Sequence, residues 1–183
     1  MRPWELRADY SCPDCGTGPE LDHGRPSYRL REDIAGQVAG LSPGISPGIG
    51  GIPGARLSLS LSRSRGWALL AAAGDRGPAT AVGVDLEHRS GVGFPGFDEV
   101  VLTRAERQRL SALPPDLVDL WRTAVWARKE ALLKARGTGL RVDPSSVEAF
   151  PALGRGDLLI ELDTVALGLP EGFAAVLAVQ RTA

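Results

Sequence analysis

The chain has 183 residues, 43% of them hydrophobic, with 21 basic against 22 acidic side chains and a net charge of −1. That length suits one domain or two small halves sharing a core, and the balanced charge gives no global drive toward nucleic acid or a membrane surface. No run reaches the roughly 18 continuous apolar residues of a membrane-spanning helix, and Met1-Arg-Pro-Trp-Glu5 lacks the apolar core of a signal peptide, so a cytoplasmic protein with reduced thiols is expected.

Residues 1–30 show little hydrophobic periodicity. Cys12-Pro-Asp-Cys15, followed by His23, offers two or three of the four ligands that a structural zinc needs. No second cysteine pair exists, and a plain turn or a redox pair lacking its β-α-β context are the alternatives. We expect the two thiols to contribute little chemistry. From Gly36 to Gly54, glycine and proline are too dense for a helix or a central strand, which predicts a long loop or lid. Arg56 to Ser62 alternates Leu with Ser, the period of a half-buried strand. Trp67–Ala73 and Ala79–Glu87 read as two further strands, so this portion is expected to form an antiparallel meander, with Arg63-Ser-Arg-Gly66 as a basic turn.

Phe97 to Leu113 is helical in pattern, with a break at Leu102 and a restart at Thr103-Arg-Ala-Glu106, which matches a capping box. Asp116 starts a longer helix whose Leu117, Leu120, Trp121, Ala124 and Val125 follow the 3.6 period, and Gly137 stands where a left-handed cap belongs. Trp121 and Trp126 are expected to pack in the core. Ser146–Phe150, Leu158–Leu162 and Phe173–Gln180 read as three more strands. The expected fold is α+β, with two similar halves (1–82 and 83–183), each an antiparallel sheet packed with a helix and related by a rough twofold, and a site in the cleft between them.

Two spacings carry chemistry. Asp85 and Glu87 stand at i and i+2 near a strand end and so share a face, while Glu130 and Lys134 stand four apart on one helix face. Three carboxylates make the hard oxygen set that Mg²⁺ prefers, and a metal-held phosphate beside a lysine suits phosphoryl-type transfer. An ordinary amphipathic helix with a solvated ion pair would give the second spacing by itself. The only lysines of the chain, Lys129 and Lys134, both fall in this helix amid an otherwise arginine-based repertoire, so arginine is expected to be an inadequate replacement there.

Gly83-Val-Asp-Leu-Glu87 preceded by Val82, followed by Trp126-Ala-Arg-Lys-Glu-Ala-Leu-Leu-Lys134 and Gly137-Thr-Gly-Leu140, resembles the signature motifs of the 4′-phosphopantetheinyl transferases, in particular the larger type made of two similar halves. His23-Gly-Arg-Pro26 resembles the G-K-P element of that family, and Ser60-Leu-Ser-Arg-Ser64 its N-x-S-H-S element, with Arg63 where His is usual. The segment before His23 is shorter than in the larger type, so the resemblance implies an N-terminally shortened, divergent member. It implies transfer of 4′-phosphopantetheine from coenzyme A to a serine of an acyl or peptidyl carrier protein, in assembly-line biosynthesis. It also implies Mg²⁺ on Asp85, Glu87 and Glu130, Glu130 as base, and Lys134 on the bridging phosphates. Arg25, Pro26, Ser62 and Arg63 would then contact coenzyme A. Two other readings keep the fold without this transfer: a non-catalytic partner of a carrier protein or biosynthetic enzyme, or an enzyme using the acidic cleft for another biosynthetic reaction.

Overall fold

A computed structural model describes residues 6–12, 16–18, 25–30, 56–75 and 80–181. The elements in order are β1 (Leu6–Cys12), β2 (Gly16–Gly18), β3 (Arg25–Leu30), β4 (Arg56–Ser64), β5 (Trp67–Asp75), β6 (Thr80–His88), α1 (Phe97–Val101), α2 (Arg104–Leu110), α3 (Pro115–Arg136), β7 (Leu158–Glu161) and β8 (Phe173–Arg181). Among the described residues the strands form three antiparallel sheets, ordered β2-β1-β3, β4-β5 and β6-β8-β7. The architecture is therefore mixed α/β with antiparallel sheets. No helix among the described residues is long and apolar enough to cross a membrane.

α3 is the long element against which β6, β8 and the short helix α1 pack. Pro115 occupies its first turn, where the missing N–H costs nothing, and Gly137 ends it at φ 68°, a left-handed conformation that glycine adopts freely. Val125 packs with Val92, Phe97, Val101, Leu102 and Ala149, and Trp121 and Trp126 close over that cluster. One turn further on, Ala127, Ala131, Leu132 and Ala135 pack against Val176 and Ala178 of β8. Leu117 and Leu120 depart from the expected stripe, since both are more than 40% exposed.

The break at Leu102 and the capping box are as expected: Thr103 caps α2 and Glu106 answers it. Two expectations are overturned. The meander does not close, because β6 pairs with β8 (Val84 opposite Leu177, Asp85 opposite Val176) and not with β5. Local alternation cannot choose between a neighbouring and a distant partner strand. Ser146–Phe150 is not a strand either. Pro144 begins a short 3-10 turn there, and the Ala149 backbone bonds side chains, donating to Glu106 Oε1 and accepting from Arg128 Nε.

β4 and β5 are joined by Arg65-Gly66, with φ of 51° and 79°, the two left-handed residues of a type I′ hairpin turn. The outer edge of β6 faces β4 without a ladder. Instead Ser58 Oγ accepts from Val82 N–H at 3.0 Å and Ser60 Oγ from Val84 N–H at 2.9 Å. The serines of the Leu-Ser alternation thus form the inward face, and Ser60 and Ser62 are buried.

Candidate active site

The site begins with Gly83. It lies in β6 directly under α3, where a Cβ would come within 2.0 Å of the Ala131 carbonyl oxygen and 2.4 Å of the Ala135 nitrogen. Only a residue without a side chain lets strand and helix approach this closely. Two residues on, on the same face, Asp85 meets α3 one turn past Glu130.

Asp85 is buried. Its Oδ1 accepts from Lys134 Nζ at 2.6 Å and from Ser62 Oγ at 2.8 Å, while Lys134 also donates to the Val84 carbonyl. Its Oδ2 is buried without a hydrogen-bond partner. Burial raises the Asp85 carboxyl above its ordinary range, against the Lys134 ammonium and the Ser62 hydroxyl, which favour the ionised form. Glu87 and Glu130 are each pushed up to about 7, foremost by burial and then by the Asp85 charge. For Glu87 the charge of Glu130 adds to this, and a hydrogen bond from Trp126 opposes it. Trp126 packs edge-on to Phe97, as expected of a core residue, and its side chain lies beside Glu87.

Asp85, Glu87 and Glu130 supply oxygen donors of the hard type that a divalent cation takes, and one of them, Asp85 Oδ2, is buried and orphaned. As the side chains stand, no three acidic, His or Cys groups among the described residues form a cluster that could hold a metal. Lys134 occupies the Asp85 oxygen that faces α3. Just past β6, a groove of about 410 Å³ is lined by His88, Arg89, Ser90, Pro115, Asp116, Asp119 and Leu120.

The predicted residues are brought together unequally. Asp85, Glu87, Glu130 and Lys134 share one junction. Ser62 and Arg63 are not at the turn: both lie in β4, and successive strand residues face opposite sides. Ser62 is turned inward onto Asp85 and Arg63 is exposed, so the two side chains do not converge on one anion. Arg25 and Pro26 lie in β3, opposite Ser11 and Tyr10, with their side chains outside the described residues. Cys12 pairs with Gly16, while Cys15, His23 and the 36–54 segment lie outside the described residues.

Sequence reasoning missed Lys129 as a buried group. It is fully buried, paired with Glu106 Oε2 at 2.6 Å and bonded to the carbonyls of Val101 and Pro144. Glu106 in turn accepts from Thr103 N–H and Ala149 N–H, so one ion pair ties α2, α3 and the 144–149 segment. Burial lowers the Lys129 pKa, and Glu106 opposes the shift. The signal was present: Lys129 stands four residues after Val125 and three before Leu132, on the buried stripe. It also fixes the rotation of α3, and so the direction of Glu130.

Residues 81–166 match the family described as the 4′-phosphopantetheinyl transferase superfamily. Among solved structures, the chain is similar to the crystal structure of Thermotoga maritima holo-[acyl-carrier-protein] synthase, with 21% identity and a TM-score of 0.43, over 56% of this chain and 64% of that one. The matched part thus spans less than two thirds of that protein's length. No curated protein matches the chain.

Proposed function

We propose, on the match of residues 81–166 to the 4′-phosphopantetheinyl transferase superfamily, that the chain transfers 4′-phosphopantetheine from coenzyme A to a serine of an acyl or peptidyl carrier protein. The observation that carries this reading is the Asp85–Lys134 contact, with an unpartnered buried oxygen and two neighbouring carboxyls raised to about 7. An acidic cluster that is uncomfortable alone is relieved by a cation, and a cation beside an ammonium suits a pyrophosphate. The two-half arrangement is part of the proposal. Asp85 is gripped from one side by Ser62, of residues 1–82, and from the other by Lys134, of residues 83–183.

Asp85, Glu87 and Glu130 would hold Mg²⁺, which when bound neutralises charge on the pyrophosphate of coenzyme A. Lys134 lies within reach of the same phosphates and offsets the charge that develops on the leaving group. Glu130, with a pKa near working pH in the metal-free chain, takes the proton of the carrier serine. The serine oxygen bonds to the β-phosphorus and the pyrophosphate P–O bond breaks. Holo carrier and adenosine 3′,5′-bisphosphate result. Arg63 and, from β3, Arg25 and Pro26 are the coenzyme A contacts this reading assigns. The test is the mass of an apo carrier incubated with this protein, coenzyme A and Mg²⁺. A gain of one phosphopantetheine that is lost with Asp85→Ala supports the reading, and an unchanged carrier across a panel of acyl and peptidyl carriers ends it.

A further inference from the structure

We infer that Ser62 is a positioning residue for Asp85, and that its hydroxyl fixes which carboxylate oxygen is presented to a bound cation. This rests on the functional reading above and deepens it. The geometry has three parts. Ser62 is 7% exposed, and its Oγ donates to Asp85 Oδ1 at 2.8 Å. Lys134 Nζ donates to that same oxygen at 2.6 Å, from the opposite element. Both donors saturate Oδ1, and Oδ2 is left buried and without a partner.

A carboxylate attached to a strand has a free χ2, and two donors on one oxygen remove that freedom. Ser62 comes from β4, which does not ladder with β6; along the same seam the hydroxyls of Ser58 and Ser60 accept from Val82 and Val84 N–H, independently of the Ser62–Asp85 contact. Ser60 and Ser62 are therefore alike in burial and strand but differ in role. Ser60 satisfies a backbone N–H, whereas Ser62 contacts a side chain of the site. Ser62 needs no direct contact with substrate for this, and its orientation away from Arg63 removes it from the exposed face.

The experiment measures Mn²⁺ affinity by electron paramagnetic resonance on the full chain, together with the KM and kcat of carrier modification. The variants are Ser62→Ala, Ser62→Thr and Ser60→Ala. Loss of one charge-assisted bond that orients the ligand is expected to weaken Mn²⁺ about tenfold in Ser62→Ala. The Mn²⁺ concentration for half-maximal rate should rise by the same factor, with KM for the carrier unchanged. Ser62→Thr retains the hydroxyl and is expected to restore affinity to within about threefold. Ser60→Ala lowers the melting temperature yet leaves Mn²⁺ affinity as it is. Equal affinity in Ser62→Ala and the unaltered protein overturns the inference, as does an equal loss in Ser60→Ala. If the unaltered protein itself does not bind Mn²⁺, the metal reading falls and this inference with it.

Discussion

Replacing Gly83 by alanine tests the joint between fold and site. The added Cβ would meet backbone, the Ala131 oxygen at 2.0 Å and the Ala135 nitrogen at 2.4 Å, and neither can rotate away. Contacts under 3.0 Å essentially never occur, so β6 and α3 must separate by roughly 1 Å. A gap of that size forfeits up to about half of the dispersion energy across the interface. Overpacking typically costs about 1–3 kcal/mol, and backbone obstruction puts this case at the upper end. For a chain of this size about 3 kcal/mol corresponds to a fall in melting temperature of roughly 6–12 °C. The same movement stretches the 2.6 Å Asp85–Lys134 contact beyond hydrogen-bond range, so transfer activity should fall even at temperatures where the variant is folded. Thermal unfolding followed by circular dichroism measures the first effect. Gly93→Ala is the control, because a Cβ there meets nothing within 4 Å. A Gly83→Ala protein that melts within 2 °C of the unaltered chain (about 0.5–1 kcal/mol) would refute the close-approach argument.

Removing one member of the buried Glu106–Lys129 pair leaves an uncompensated charge or orphaned donors, so Glu106→Leu should cost about 3–5 kcal/mol in urea unfolding. Adding Lys129→Met to it should recover most of that loss, and a double variant as unstable as the single would contradict this account. In EDTA, Glu87 and Glu130 keep their protons up to about pH 7 in the folded chain, against an ordinary 4.5, so folding binds protons between those values. Stability should therefore fall as pH rises from 4.5 through 7 and level off above, which urea midpoints at pH 5 and pH 8 can check; a rise would reverse the assignment. Lys134→Arg should lower kcat about tenfold or more, because a planar fork cannot occupy the point between the Val84 carbonyl and Asp85 Oδ1. Full activity in that variant would show that any cation suffices.

What could be read from the chain alone were features written locally. Gly137 marks the end of α3 and Asp116 its start to within one residue, Thr103 and Glu106 mark the start of α2, and the i,i+2 and i,i+4 spacings put Asp85 with Glu87 and Glu130 with Lys134. What could not be read were choices between partners far apart in sequence. The period-2 pattern of β6 is equally compatible with β5 and with β8, and only the assembled sheet selects β8. The alternating Val147 and Ala149 resemble a strand, but the Ala149 backbone is claimed by the side chains of Glu106 and Arg128 and the Val147 N–H by the Pro144 carbonyl, which no periodicity reveals. Alternating Leu and Ser gives two faces without saying which one turns inward. The serine face does, because β6 presents unpaired N–H groups there.

The serine seam makes the boundary between β4 and β6 unlike the other strand contacts in its resistance to solvent. Backbone ladders open cooperatively, whereas hydroxyl-to-amide bonds can be exchanged one at a time for water. The amides of Val82 and Val84 should then trade hydrogen for deuterium faster than the amides of β8 that ladder with β6, although all of them lie in one packed region. The β4–β5 hairpin would peel away as a unit at a lower opening free energy than the β6-β8-β7 sheet. It would take Ser62 with it and release Asp85 in the same event.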